Sequence, residues 1–255
     1  MSVGLADLLA RAEAGFAIAA LVFLRVGGVM ALLPGLGERS VPARVRLALA
    51  LGFTAIVAPA LAGVLAPLAL SPRIMLAEAV CGLTLGIALR IAVLALQTAG
   101  DIAAQSASLS QILGGAALDP QPAMGRLIVM GGLALAAISG LPVRAAEAMI
   151  LSYDALPPGR FPVPGLLADW GVGRVARGFA VAVTLAMPFV IAGVIYNIAL
   201  GVINRAMPQL MVAFVGAPAL TLGGLVLLFL AAPGLLEVWR ALLLDTLAAP
   251  FAATP

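Results

Sequence analysis

Five polar side chains set into one apolar stretch carry the first chemical signal of this chain. Arg90, Gln97, Asp101, Gln105 and Ser108 follow one another at intervals of 7, 4, 4 and 3 residues, which at the helical period puts them along one side of a single helix. Charged and amide groups inside membrane segments face protein or water. The ribbon therefore either lines a wet passage or pairs with neighbouring subunits, or it is an internal polar seam that glues helices together. A second constellation is Asn197, Gly201 and Asn204, spaced 4 and 3 on one helix side and followed by Arg205, Met207, Pro208, Gln209 and Leu210. Pro208 is expected to end or kink that helix, Arg205 suits the negative end of the helix dipole, and the amides are expected to bond across to another helix.

Other chemistry is excluded by residue type. All fourteen basic residues are Arg, with no Lys and no His, so there is no imidazole base or ligand, no Schiff-base amine and no phosphate-loop lysine. Neither GxxxxGK[ST] nor HExxH occurs. The expectation is a non-enzyme without cofactor or metal, driven in any energised process by its partners. The net charge of +3 is spread over 255 residues, unlike the clustered basic face that nucleic acid requires. Cys81 is the single cysteine, so an intrachain disulfide is impossible, and it reads as a small buried apolar residue.

The elements that must hold these groups follow from composition. The chain is 64% apolar and 10% charged, against roughly 45–50% and about 25% in soluble domains, which is a membrane protein's balance. The start, with Asp7, Arg11 and Glu13, lacks the pattern of a cleaved signal peptide. From Ala14 to Leu36 the only charge is Arg25, giving a long apolar helix with one buried charge to accommodate, since roughly 20 apolar residues cross the hydrocarbon. A helix is expected from about Pro42 to Val57, with an irregular stretch beyond Pro59. Further apolar runs cover Ile74 to Ser110, Leu127 to Val143, Gly178 to Asn204 and Ala206 to Leu236, with Pro188, Pro208, Pro218 and Pro233 as breaks.

Residues 156–173, containing Pro157-Pro158-Gly159 and Pro162-Val163-Pro164-Gly165, read as an exposed connection, with a short helix around Arg144 to Ala155 before it. The expected architecture is all-α, one domain over residues 1–255 with about six long apolar helices. Arginines are balanced between the two sides under simple alternation, so the positive-inside rule selects no orientation. That balance suggests that some runs are hairpins packed on protein. Gly82 and Gly86 have the small-xxx-small spacing that permits close helix contact.

Where the polar ribbon ends, the residues from Ile112 to Arg126 include Leu113, Gly114, Gly115, Leu118, Asp119, Pro120, Pro122 and Met124. Adjacent glycines and two prolines break a helix, yet the stretch is mostly apolar. Non-helical backbone at membrane depth survives only when buried in protein or lining a cavity. It is either a plug in a conduit, taken as residues 106–126 with Ser106 and Ser108 at its start, or a turn at the membrane surface.

Three blocks then carry a resemblance: Ser40-Val41-Pro42-Ala43-Arg44-Val45-Arg46, Thr98-Ala99-Gly100-Asp101 through Gln105 to Asp119-Pro120, and Asn197 through Gly201, Asn204, Arg205 and Pro208 to Leu210. In order and spacing, from about Ala14 to Leu236, the chain resembles the R subunit of the flagellar export gate, the FliR family, which is similar to the T subunit of virulence type III secretion. The resemblance implies a structural and gating subunit of the bacterial inner membrane and flagellar basal body. It implies assembly with P and Q gate subunits and other type III export membrane proteins, hairpin helices in a hetero-oligomeric helical gate, and passage of unfolded flagellar proteins.

It also implies that the stretch from about Ser106 to Met124 is the plug, and that Val41, Pro42, Arg46, the Asn197 to Leu210 block, Gly216 and Pro218 serve assembly. The chain departs from the family pattern at Ser106-Ala107-Ser108 and at Gly216-Ala217-Pro218, where Gly-Phe-Pro is common. No nucleic acid or small-molecule substrate is expected. The competing reading from Arg90 and Asp101 is a small-solute transporter; a membrane enzyme is a third.

Overall fold

The computed structural model describes residues 4–37, 41–66, 68–112, 123–207 and 212–252, and all regular structure in them is helical. The helices are α1 (Leu5–Leu32), α2 (Ala43–Leu65), α3 (Pro72–Ile112), α4 (Ala123–Ile138), α5 (Leu141–Ala155), α6 (Pro164–Ala206) and α7 (Val212–Ala248). Five are long and apolar enough to cross a membrane, and α4 with α5, bent by 73° at their junction, passes the same test as a pair. The six apolar segments read from the sequence are thus present as helices.

Several boundaries differ from expectation. Helix α2 continues through Pro59 to Leu65, because Val57, Leu61 and Leu65 keep the buried face going at a spacing of four. Helix α6 likewise continues across Pro188, and α7 across Pro218 and Pro233. Without water to satisfy freed carbonyls, an apolar helix that absorbs a proline is favoured over an unwound one. The run from Leu127 to Val143 is instead interrupted at Gly140, whose φ of 80° is left-handed, a conformation cheap only for glycine. The loop after α5 is shorter than expected, because Pro164 takes the first position of α6, where its missing N–H and fixed φ suit a helix start.

The chain divides into two compact units. The first holds residues 1–91, 139–174 and 243–255. There α1 packs on α2, and α2 touches α5. Helices α1 and α3 cross backbone to backbone. A Cβ on Gly28 would stand 2.7 Å from the Leu83 nitrogen, one on Gly82 would stand 2.8 Å from the Arg25 carbonyl carbon, and one on Gly86 would stand 3.1 Å from the Gly28 oxygen. The Gly82 and Gly86 spacing marks a real crossing. Arg174 and Trp170 of α6 hold the segment after α7: Arg174 donates to the Ala249 and Pro250 carbonyls at 2.9 and 2.7 Å, and Trp170 Nε1 donates to Pro250 at 3.0 Å. Carbonyls past a helix end, which have no helical partner, are thereby satisfied by a cation.

The second unit holds residues 92–138 and 175–242. Its anchor is Trp239, fully buried, whose Nε1 donates to the Ala92 carbonyl at 2.7 Å. The ring lies against Gly132, where a Cβ would stand 3.2 Å from it. A buried tryptophan needs such a partner for its one polar atom.

Candidate functional site

Among the described residues, the polar ribbon follows the more exposed side of α3. Leu83, Ile87, Leu94, Asp101 and Gln105 are exposed, and Arg90 and Gln97 are half-buried; with their neighbours they form one stripe at intervals of three and four. The side chains between them, including Leu85, Leu89, Val93, Leu96 and Ala103, are buried. Asp101 and Gln105 are the exposed members of the expected ribbon, and the side chain of Ser108 lies outside the described residues.

Ser106 lies in α3. It is buried, its Oγ donates to the Ala103 carbonyl at 2.7 Å, and its own carbonyl would stand 2.7 Å from a Cβ on Gly193. Gly100 and Gly125 meet in the same way, with 2.6 Å between a Cβ on Gly100 and the Gly125 Cα. Ser106 and Gly125, at the two ends of the stretch expected to be the plug, are therefore held by close backbone contacts in the second unit. Met124 is half-buried in the first turn of α4. Ser108 and Ile112 belong to α3, but their side chains lie outside the description, as do Leu113, Gly114, Gly115, Leu118, Asp119 and Pro120 altogether.

Toward the end of α6, Asn197 bonds within its own helix. Its Nδ2 donates to the Gly193 carbonyl of its own helix at 2.8 Å, since the carbonyl one turn back is within reach of a short amide. Gly201, Asn204 and Arg205 are exposed, and a Cβ on Gly201 would meet nothing within 4 Å. Arg205 occupies the last turn of α6, as expected from the dipole. Pro208, Gln209 and Leu210 lie outside the described residues, and Gly216 and Pro218 fall in α7 without described side chains. In the other block, Pro42 caps α2, its carbonyl accepting from Val45 and Arg46 at 3.0 and 3.2 Å. Val41 and Arg46 are half-buried.

One constellation was missed. Arg25, 1% exposed, forms a bidentate pair with Glu78, 0% exposed: Nε donates to Oε2 at 2.7 Å and Nη2 to Oε1 at 3.2 Å. Arg25 also donates to Ser152 Oγ at 3.2 Å and to the Leu156 carbonyl at 3.1 Å, and its guanidinium lies 3.6 Å from the centre of the Tyr153 ring. Ser152 hands its own proton to the Met149 carbonyl at 2.6 Å.

Glu78 accepts a third bond, from the Gly159 N–H at 2.8 Å. That N–H is offered by the turn Pro157-Pro158-Gly159-Arg160, closed by Arg160 N donating to the Pro157 carbonyl at 3.4 Å with Gly159 at φ 69°, the residue pattern of a type II turn. The loop after α5 is thus tied to a buried carboxylate at Gly159. Arg25 had signalled a problem in the sequence; nothing local signalled its answer.

These arrangements define an α-helical membrane protein in which buried polar groups hold helices together, while Asp101, Gln105, Asn204 and Arg205 are exposed. Among the described residues, no group of three His, Cys, Asp or Glu side chains could hold a metal ion. The chain belongs to the family of bacterial export proteins, family 1, which matches residues 16–246. It is 32% identical over 228 residues to the flagellar biosynthetic protein FliR of Caulobacter vibrioides, covering 87% of this chain and 91% of that one. It is 31% identical over 210 residues to FliR of Escherichia coli, covering 78% of each. A shorter stretch of 82 residues is 34% identical to FliR of Aquifex aeolicus.

Proposed function

We propose that this chain is a structural and gating subunit of the flagellar type III export gate, seated in the bacterial inner membrane at the basal body and without enzymatic activity of its own. It joins P-type and Q-type subunits, and other export membrane proteins, around a passage for unfolded flagellar proteins. One observation carries the reading: the long helices leave their apolar surface unspent. Only 11% of the most apolar part of α7 and 33% of that of α6 is buried within the chain. Apolar faces in a membrane can rest on lipid, but α3 adds Asp101 and Gln105 to an uncovered side, and charged groups there require protein or water.

Partner helices and a wet passage meet both needs. On this reading the α3 stripe faces the passage or a polar partner, residues 106–126 close the passage, and the exposed end of α6 with the segment before α2 docks on neighbouring subunits.

The test is to purify the tagged chain in mild detergent and identify its companions, and to delete its gene. Co-purification of P-type and Q-type subunits with loss of motility and of filament secretion is expected. Wild-type motility in the deletion strain refutes the reading. Solute uptake by the lone chain in liposomes would assign the α3 stripe to a transporter.

A further inference from the structure

We infer that the groove between the α5–α6 connection and the start of α6 docks an extended, proline-containing segment of a partner protein that carries an acidic side chain, with Arg160 as its counter-charge. The groove has a volume of about 400 Å³ and is walled by Pro157 and Phe161 of the connection, Leu167 and Trp170 of α6, and Phe251 beyond α7. All of these belong to the first unit. The Trp170 and Phe251 rings lie 5.6 Å apart, and the bond from Trp170 Nε1 to the Pro250 carbonyl at 3.0 Å holds them in place.

The wall is fixed from beneath. The Leu156 carbonyl accepts from Arg25 at 3.1 Å, the Gly159 N–H donates to Glu78 at 2.8 Å, and the Arg160 carbonyl accepts from the Cys81 thiol at 3.7 Å. A buried ion pair and a buried thiol thus hold the backbone from Leu156 to Arg160, yet the side chains that follow are left in the open: Phe161 is 42%, Val163 60% and Leu166 69% exposed. A surface already ordered loses little conformational freedom when a partner settles on it. A connection that only joins two helices needs no such anchoring.

Chemistry selects the occupant. Among the described residues Arg160 is the one charged residue of the lining, and it is exposed. Its guanidinium makes no hydrogen bond or ion pair among the described residues, and its planar fork matches a carboxylate. Addition of a strand is disfavoured, because Pro157 and Pro162 have no N–H and the N–H groups of Leu156, Gly159 and Arg160 already donate to Ser152, Glu78 and Pro157. A groove that offers aromatic faces in place of a backbone ladder fits a polyproline II segment, whose backbone needs no hydrogen-bonded partner and whose prolines dock against aromatic rings. The assignment stands independently of the export role and does not require any helix to lie in lipid.

The test is photocrosslinking in cells, with p-benzoylphenylalanine in place of Val163 in the tagged full chain and mass-spectrometric sequencing of the captured peptide. The expected adduct is a segment of another protein with a proline and an Asp or Glu within a few residues of the crosslink. R160Q is expected to lower its yield about tenfold, the effect of losing one charge-assisted bond, and R160K to keep most of it. L166D sets a carboxylate at the rim on a side chain already exposed, so it should repel the same segment; it keeps the inference falsifiable if R160Q disturbs the connection. Capture of lipid, of a second copy of this chain or of its own residues 253–255 overturns the inference. So does a captured segment without proline or without an acidic residue, the absence of any adduct, or an undiminished yield in both variants.

Discussion

Removing the charge of Glu78 should cost more than removing the whole ion pair. In the glutamine variant E78Q, a guanidinium that is 1% exposed keeps Ser152 and the Leu156 carbonyl but loses its counter-charge, and cutting one member of a buried pair typically costs about 3–5 kcal/mol. Gln can still accept from Gly159, which favours the lower end. At about 1.4 kcal/mol per tenfold, the folded-to-unfolded ratio drops by roughly 150-fold or more. For a chain of this size each kcal/mol shifts the midpoint by about 2–4 °C, so a fall of about 6–12 °C is expected.

R25M leaves the carboxylate with the Gly159 N–H alone and should cost at least as much. The double variant R25M/E78L removes both charges and replaces them with volume. It leaves the Gly159 N–H and the Leu156 carbonyl short of a partner, about 1–3 kcal/mol each, offset by the desolvation of two charges no longer incurred. It should be more stable than either single variant. Fluorescence-detected thermal unfolding of the purified chain, reporting from Trp170 and Trp239, measures all three. A double variant that loses the sum of the single losses would refute the argument that the two charges are retained for each other.

Four further outcomes are expected. G82V should abolish stable accumulation in membranes, because its Cβ enters the Arg25 backbone, whereas G52A, with nothing within 4 Å, should be neutral or stabilising by up to about 1 kcal/mol; yield and unfolding temperature separate them. W239F should lower stability by about 1–3 kcal/mol by leaving the Ala92 carbonyl without the indole donor, read by the same unfolding assay. N204L and R205L, at the exposed end of α6, should reduce recovery of P-type and Q-type subunits on the tagged chain without lowering the level of the chain itself. Deleting residues 114–122 should leave assembly intact but make cells leak small molecules, measured by dye entry or ion efflux; unchanged permeability makes the stretch a connector.

Fold class was legible in the sequence because apolar run length is a direct count of what a bilayer needs. Helix ends were less so. Pro59, Pro188, Pro218 and Pro233 read as stops by rules learned in water, where a broken turn can bond to solvent, and that alternative is missing in lipid. Gly140 was the true break, since its left-handed φ turns the chain between α4 and α5. Glycine spacing carried half of its message: Gly82 and Gly86 stand at a crossing, while a Cβ on Gly201, with equally regular neighbours, would meet nothing within 4 Å among the described residues.

The α3 stripe was readable because it is periodic within one helix. The Arg25 network was not, because Glu78, Ser152 and Gly159 come from three other elements and only folding brings them together.

The spacing of that network along the chain sets a condition on its manufacture. Glu78 follows Arg25 by 53 residues, and Gly159 follows Glu78 by 81. At roughly 5–20 residues per second, a ribosome needs about 3–10 s to supply the counter-ion and a longer interval to supply the turn that completes its shell. Throughout that time the nascent α1 carries a bare cation that hydrocarbon rejects, so its release from the insertion machinery into lipid should wait for α3.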